Sequence, residues 1–393
     1  MKKNLLFVIN NLNCGGAEKA LISLLETIDY SIYNVDLFLF KHEGLFFNKI
    51  PEQVNLLAEP LEYRYFDMPI KASIIDCIKR GRIDKALLRL CAGYIFKNET
   101  NKARCEQRVW KYISKSLKPI QKKYDVAIGY LEKNPVYFCI DKVKANKKIG
   151  FIHNDYDKLG MDPSIDMKYF DELNNIVTVS EECANVLRKR FPMYKQKVEV
   201  MYNIVSPNII HKMSLEKVGM RGKGIKLVSV GRLNYQKGFE MAIEACKELE
   251  KNGYEITWYV IGEGEERAKL EKLIEENDLQ ETFILLGTKE NPYPYIREAD
   301  IYVQPSRFEG KSIAIDEAKI LYKPIVVTNF STAKDQIINK KNGLIVEMNS
   351  KSIAEGIRKL IDNEELRNKL IVSLSKEELG TESEIEKLYE LSR

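Results

Sequence analysis

Asp300-Ile301-Tyr302-Val303-Gln304-Pro305-Ser306-Arg307-Phe308-Glu309-Gly310-Lys311-Ser312-Ile313-Ala314-Ile315-Asp316-Glu317-Ala318 is the stretch from which the fold can be read. Its first residues, Asp300 to Val303, have the short apolar run of a buried parallel strand. Pro305, Ser306 and Gly310 mark a turn. Ile313, Ala314, Glu317, Ala318 and Leu321 then recur at helical spacing. A strand, a glycine-containing turn and a helix aim backbone N–H groups and a partial positive charge at an anion. Glu309 in the turn and Glu317 in the helix flank that position. Carboxylates make poor phosphate ligands but accept hydrogen bonds from sugar hydroxyls. The stretch therefore suits a sugar joined to a phosphate. Taken singly, Glu309 is also an ordinary turn residue, and Glu317 an acid favoured near a helix start.

The same rhythm extends outward through the second half. Strands are expected at Ile225 to Val230, Ile256 to Ile261, Phe283 to Leu286, Ile325 to Val327 and Leu344 to Val346. Helices are expected at Phe239 to Asn252, Glu265 to Asn277 and Lys351 to Asp362, with a terminal one at Glu382 to Leu391. Strands alternating with helices predict a doubly wound parallel sheet. The first half repeats it, with strands at Leu5 to Ile9, Val35 to Phe40, Val126 to Gly129, Lys148 to Ile152, Asn175 to Val179 and Val198 to Met201. Asn203 to Asn208, with Pro207, reads as a linker. The predicted architecture is α/β, two Rossmann-like doubly wound domains facing across a cleft. One domain spans 1–205 and a second 206–375. A terminal helix at 376–393 packs back on the first domain.

A chain of 393 residues exceeds what one core usually serves. Seven cysteines, odd in number and without a CxxC pair, indicate reduced thiols and a cytoplasmic location, and argue against a structural zinc site. The apolar run after Met1-Lys2-Lys3 stops at Ile9, short of a signal peptide's core. No apolar stretch approaches the length of a membrane span. The net charge of +5 is concentrated: residues 61–125 hold 16 Lys/Arg against 7 Asp/Glu, so the remainder is slightly acidic. This basic segment reads as helical. It is either a solvated surface or a face that meets an anionic membrane. No nucleic-acid motif accompanies the charge, so no nucleic-acid partner is expected.

Three further features carry chemistry. Arg232 and Lys237 share the loop Gly231 to Gly238, where a guanidinium fork and a compact ammonium suit a diphosphate. They could stabilise a leaving nucleoside diphosphate without a metal, and no DxD-type acidic cluster is placed like a magnesium site. His153 follows a strand, where open α/β sheets bind ligands; a structural histidine is the equal alternative. Gly15-Gly16 lies between a strand and a helix without the full GxGxxG spacing, so a ligand approach and a plain βα turn both stand.

These residues resemble a known family. Gly231-Arg232-Leu233 with Lys237-Gly238, then Pro305-Ser306-x-x-Glu309-Gly310 through Glu317-Ala318, look like the retaining glycosyltransferases of family 4, which have the GT-B fold and include enzymes of bacterial surface-polysaccharide synthesis. Glu309 and Glu317 have the spacing of that family's Glu-x7-Glu motif. Gly15-Gly16-Ala17-Glu18 resembles its N-terminal glycine loop. The resemblance is strongest in the second half and nearly vanishes across the basic segment.

The resemblance implies a retaining, metal-independent hexosyltransferase that uses a nucleotide-diphosphate sugar as donor substrate and needs no cofactor. Its acceptor would be a glycan or a lipid-linked saccharide. Arg232 and Lys237 would bind the diphosphate, Glu317 the ribose and Glu309 the transferred sugar. The amides of Gly310, Lys311, Ser312 and Ile313 would orient sugar and phosphate, with Gly16 approaching from the first domain. His153 would lie near the donor sugar, and the base near Gly262 and Thr288. Lys311 and Ser312 depart from the apolar residues many members have there, which bears on sugar preference. A non-catalytic GT-B subunit and a GT-B nucleotide-sugar epimerase are the alternatives.

Overall fold

A computed structural model describes residues 2–13 and 15–393. The chain divides into two compact units. One comprises Met1–Asn13, Ala17–Tyr202 and Glu384–Arg393; the other comprises Cys14–Gly16 and Asn203–Ser383.

Among the described residues the first unit holds seven strands: β1 (Lys3–Ile9), β2 (Tyr33–Leu39), β3 (Asn55–Leu56), β4 (Lys123–Gly129), β5 (Lys144–Ile152), β6 (Asn175–Thr178) and β7 (Val198–Val200). Their order is β3-β2-β1-β4-β5-β6-β7, and every pairing is parallel. β1 is buried from Leu5 to Ile9 because helices cover both faces of a parallel sheet, so no alternation of polar residues survives. One side of its core clusters Phe40, Trp110, Tyr137 and Phe138. The basic segment folds chiefly into three helices, Ile70–Lys79, Ile83–Asn98 and Lys102–Ser116. The helix Ile385–Leu391 belongs to this unit. The Tyr389 ring stacks on Tyr33 at 5.1 Å, and the Lys3 ammonium donates to the Ser392 carbonyl at 2.8 Å.

The second unit holds β8 (Ile225–Val230), β9 (Ile256–Ile261), β10 (Phe283–Gly287), β11 (Ile301–Gln304), β12 (Ile325–Thr328) and β13 (Leu344–Val346). Their order is β10-β9-β8-β11-β12-β13, again parallel throughout. Trp258, Phe239, Ile301 and Val326 belong to its core.

Boundaries shift in places. Asn203–Asn208 is not linker throughout: Pro207 opens a helix, Pro207–Met213, because its fixed φ and missing N–H suit a first helical position. The second unit runs on to Ser383 rather than ending near 375. Thr381 ties this last part to the start of the unit, its hydroxyl donating to the Asn203 carbonyl at 2.7 Å.

Candidate active site

In an open α/β sheet, ligands bind beyond the carboxyl ends of the strands, where the strand order reverses. In the second unit that point lies between β8 and β11, which pair through Ile301 with Leu227 and Tyr302 with Val228. The loop after β8 carries Arg232 and Lys237; the loop after β11 carries Glu309. Topology thus joins two loops about 70 residues apart in sequence.

One glycine lets these loops meet, and another lets the loop after β9 close on the first of them. Gly238 has φ 66°, and a Cβ there would lie 2.3 Å from the Pro305 carbonyl oxygen. Gly262, ending β9 with φ 152°, would place a Cβ 1.9 Å from the Gly231 carbonyl oxygen. An L side chain fits neither the conformation nor the space. Further bonds stitch the loops. The Arg307 N–H donates to the Gln236 carbonyl at 2.8 Å, and the Arg307 guanidinium lies 4.0 Å from the centre of the Tyr235 ring. Gln236 Nε2 donates to the Phe308 carbonyl at 2.9 Å and to Glu309 Oε2 at 3.3 Å.

At this junction Lys237 Nζ meets Glu309 Oε1 at 2.5 Å. The same oxygen accepts from Ser306 Oγ at 2.6 Å and Gln304 Nε2 at 3.2 Å. Glu309 is only 5% exposed, so its charge depends on these donors. Lys237 is fixed in turn: its stem lies over Gly231, and its N–H is capped by Asn234 Oδ1 at 3.3 Å. An ammonium has three donors, so those not used by Glu309 can serve a ligand. Arg232 is exposed on the same loop.

Glu317 lies on the helix Ile313–Ile320 and is buried. Its Oε1 accepts the Tyr293 hydroxyl at 3.2 Å. Gly310 and Lys311 lead into that helix, and Lys311 Nζ lies 3.6 Å from Asp316 Oδ2. One expectation is corrected here. The Ser312 N–H already donates to Gln336 Oε1 at 2.8 Å, while Gln336 Nε2 donates to the Ser312 carbonyl and to Asp316 Oδ1. The Ser312 amide is therefore not open to a ligand; Gln336 fixes the shape of the loop instead. Gly262 and Thr288 follow the adjacent strands β9 and β10 on the same sheet edge, and the Gly262 N–H donates to the Gly287 carbonyl at 3.0 Å.

In the first unit the strand order reverses between β1 and β4. Gly15 follows β1, and Gly16 opens the helix Gly16–Thr27. His153 follows β5. Its backbone N–H donates to Glu132 Oε2 at 3.0 Å, and Asn154 Nδ2 donates to Glu132 Oε1 at 3.2 Å. Asp155 instead caps the short helix Tyr156–Leu159. The imidazole packs on Tyr130 and Phe151. Burial pushes its pKa down to about 4, so it is neutral at physiological pH, and its Nε2 is buried without a hydrogen-bond partner.

In the same unit, Asp166 on the helix Pro163–Glu172 is 1% exposed. It accepts the Tyr137 and Tyr156 hydroxyls and, at 2.8 Å, Gln107 Nε2. Burial raises its pKa from 3.8 to about 7. A carboxyl with a raised folded pKa stabilises most when protonated, and that contribution fades as pH rises toward the folded value. The melting temperature of the wild type relative to Asp166→Asn should therefore fall as pH rises from about 4 to about 7 and level off above it. Parallel melting curves across that range would show that Asp166 does not titrate there.

Sequence reading passed over Glu132, Gln304, Tyr293 and Gln336. Gln304 had a signal, a polar residue at the end of an apolar strand. The others lie far in sequence from the groups they hold.

Residues 213–374 match the family model described as glycosyl transferases group 1. The N-acetylgalactosamine-N,N'-diacetylbacillosaminyl-diphospho-undecaprenol 4-alpha-N-acetylgalactosaminyltransferase of Campylobacter jejuni is 30% identical over 183 residues, 46% of this chain and 49% of that protein. The Staphylococcus aureus capsular polysaccharide biosynthesis glycosyltransferase CapM is 33% identical over 144 residues, 35% of this chain and 37% of that protein. The chain spans about half the length of the first curated relatives it matches. Among solved structures, Anabaena HepE in complex with UDP-glucose superposes with a TM-score of 0.69 at 15% identity, covering 99% of this chain and 98% of that one. A mutant of S. aureus TarM, in a complex containing UDP, gives 0.68 at 13% identity over 100% of both chains. The fold is thus that of the GT-B glycosyltransferases.

Proposed function

We propose that the protein is a retaining glycosyltransferase of family 4. It moves a hexose from a nucleotide-diphosphate sugar to a glycan or lipid-linked saccharide during cell-surface polysaccharide synthesis. The observation that carries this reading is the Lys237–Glu309 pair, 2.5 Å apart at the strand-order reversal of the second sheet. A cation beside a carboxylate at this sheet edge supports a diphosphate held next to the sugar it carries. The names of the Campylobacter and CapM relatives, a lipid-diphosphate saccharide transferase and a capsular enzyme, support the acceptor class.

In this mechanism Lys237 and Arg232 take up charge as the bond between sugar C1 and the β-phosphate oxygen breaks. The acceptor hydroxyl attacks the same face of C1. Its proton passes to the departing phosphate, so no protein base is required. Glu317 accepts from the ribose hydroxyls, and Glu309 Oε2 from the sugar. His153, being neutral, has no charge to offer a phosphate. The two cations replace a metal, and transfer proceeds in the presence of a chelator.

Proton NMR of the product formed with the cognate donor and acceptor, in EDTA, tests this. The new bond should keep the donor's anomeric configuration. An inverted product, or transfer that needs added divalent cation, would overturn the mechanism.

A further inference from the structure

The helix Ile83–Asn98 is apolar on two faces. Ala86 and Ala92 are buried, and Leu88 and Ile95 pack against the core. A second apolar set faces water: Ile83, Leu87, Leu90 and Tyr94 form one stripe at helical spacing, each between 48% and 73% exposed. The preceding helix, Ile70–Lys79, adds Ile75 and Ile78, also exposed. Among the described residues, half of the exposed large apolar side chains fall between Leu61 and Phe96. An apolar stripe left in water on a helix whose other apolar face is already in the core suits contact with another apolar phase.

Charge says which phase. Residues 69–98 hold seven Lys/Arg and two Asp. Lys71, Lys79, Arg80, Arg82 and Lys97 are exposed beside the stripe. Of the two acids, Asp76 is neutralised by Arg64 and Arg80 and Asp84 faces Lys85. A second copy of the chain docking symmetrically on this face would oppose its own basic rim. Aliphatic side chains rimmed by Lys and Arg match an anionic lipid headgroup layer. No helix among the described residues is long and apolar enough to cross a membrane, so contact of this kind lies on the surface.

We propose that the helices Ile70–Lys79 and Ile83–Asn98 dock on an anionic bilayer. Their aliphatic stripe enters the headgroup boundary, and the basic rim pairs with lipid phosphates. This surface stands independently of the proposed transfer reaction.

Co-sedimentation of the full chain with vesicles tests it. Equimolar phosphatidylglycerol and phosphatidylcholine should retain the protein; pure phosphatidylcholine should not. Ile78→Glu/Leu87→Glu/Leu90→Glu, all at exposed positions, should weaken retention about tenfold or more with an unchanged melting curve. Lys71→Gln/Lys79→Gln/Lys97→Gln should weaken it and reduce its salt dependence. Three results would overturn the proposal: no retention by the anionic vesicles, retention unaffected by the triple Glu variant, or a dimer in solution that this variant dissociates while vesicles retain neither protein.

Discussion

Lys237→Ala should lower kcat/KM for sugar transfer by about a hundredfold to a thousandfold, the usual cost of removing one positioned donor to developing charge. The loss has two sources. The ammonium is absent as the leaving diphosphate gains charge. Glu309, 5% exposed, also loses its cationic partner. Breaking a buried pair from one side typically costs about 3–5 kcal/mol. Ser306, Gln304 and Gln236 still donate to Glu309, which moves the expected stability loss toward the lower end. Stability and activity can therefore be separated. Lys237→Ala/Glu309→Gln should melt above Lys237→Ala because no unpaired charge remains, while transfer stays at the low level of the single variant. Recovery of transfer along with stability would mean that Lys237 acts only by holding the loop. Initial rates and melting curves on the four proteins of the cycle decide between these outcomes.

Glu317→Gln should weaken nucleoside diphosphate binding about tenfold to a hundredfold, the difference that a charged acceptor makes to buried hydrogen bonds. The substitution is nearly isosteric, so the helix Ile313–Ile320 and the Tyr293 contact can persist. The effect should fall on affinity for the free nucleotide as well as for the nucleotide sugar, because ribose is common to both. Glu309→Gln should discriminate the other way, impairing the nucleotide sugar more than the free nucleotide. Equal losses for both ligands in both variants would mean that the two carboxylates do not divide ribose and sugar between them.

Both sheets were legible because parallel strands buried on two faces are written as continuous apolar runs, as in Leu5 to Ile9 and Ile256 to Ile261. Pro207 was misread because a proline that opens a helix looks, in sequence, like one that interrupts a linker. The Lys237 and Glu309 loops could be nominated from residue type and turn signals. Their 2.5 Å contact could not, because it depends on β11 lying beside β8 rather than beside β10. Gln336 was invisible for a similar reason: it follows β12, and its contact with Ser312 depends on β12 lying beside β11. Glu132 was hidden by distance, 21 residues before the His153 backbone it holds. The exposed stripe of Ile83, Leu87, Leu90 and Tyr94 could not be separated by period alone from the buried one of Ala86 and Ala92. Only burial tells which apolar face meets water.

The central claim is that the loops after β8 and β11 hold a nucleoside diphosphate through Lys237, Arg232 and Glu317. Calorimetric titration of the full chain with a panel of nucleoside diphosphates, in EDTA, tests it most directly. At least one of them should bind saturably, and Lys237→Ala and Glu317→Gln should each weaken that binding. Binding of none, or binding that both variants leave unchanged, would contradict it.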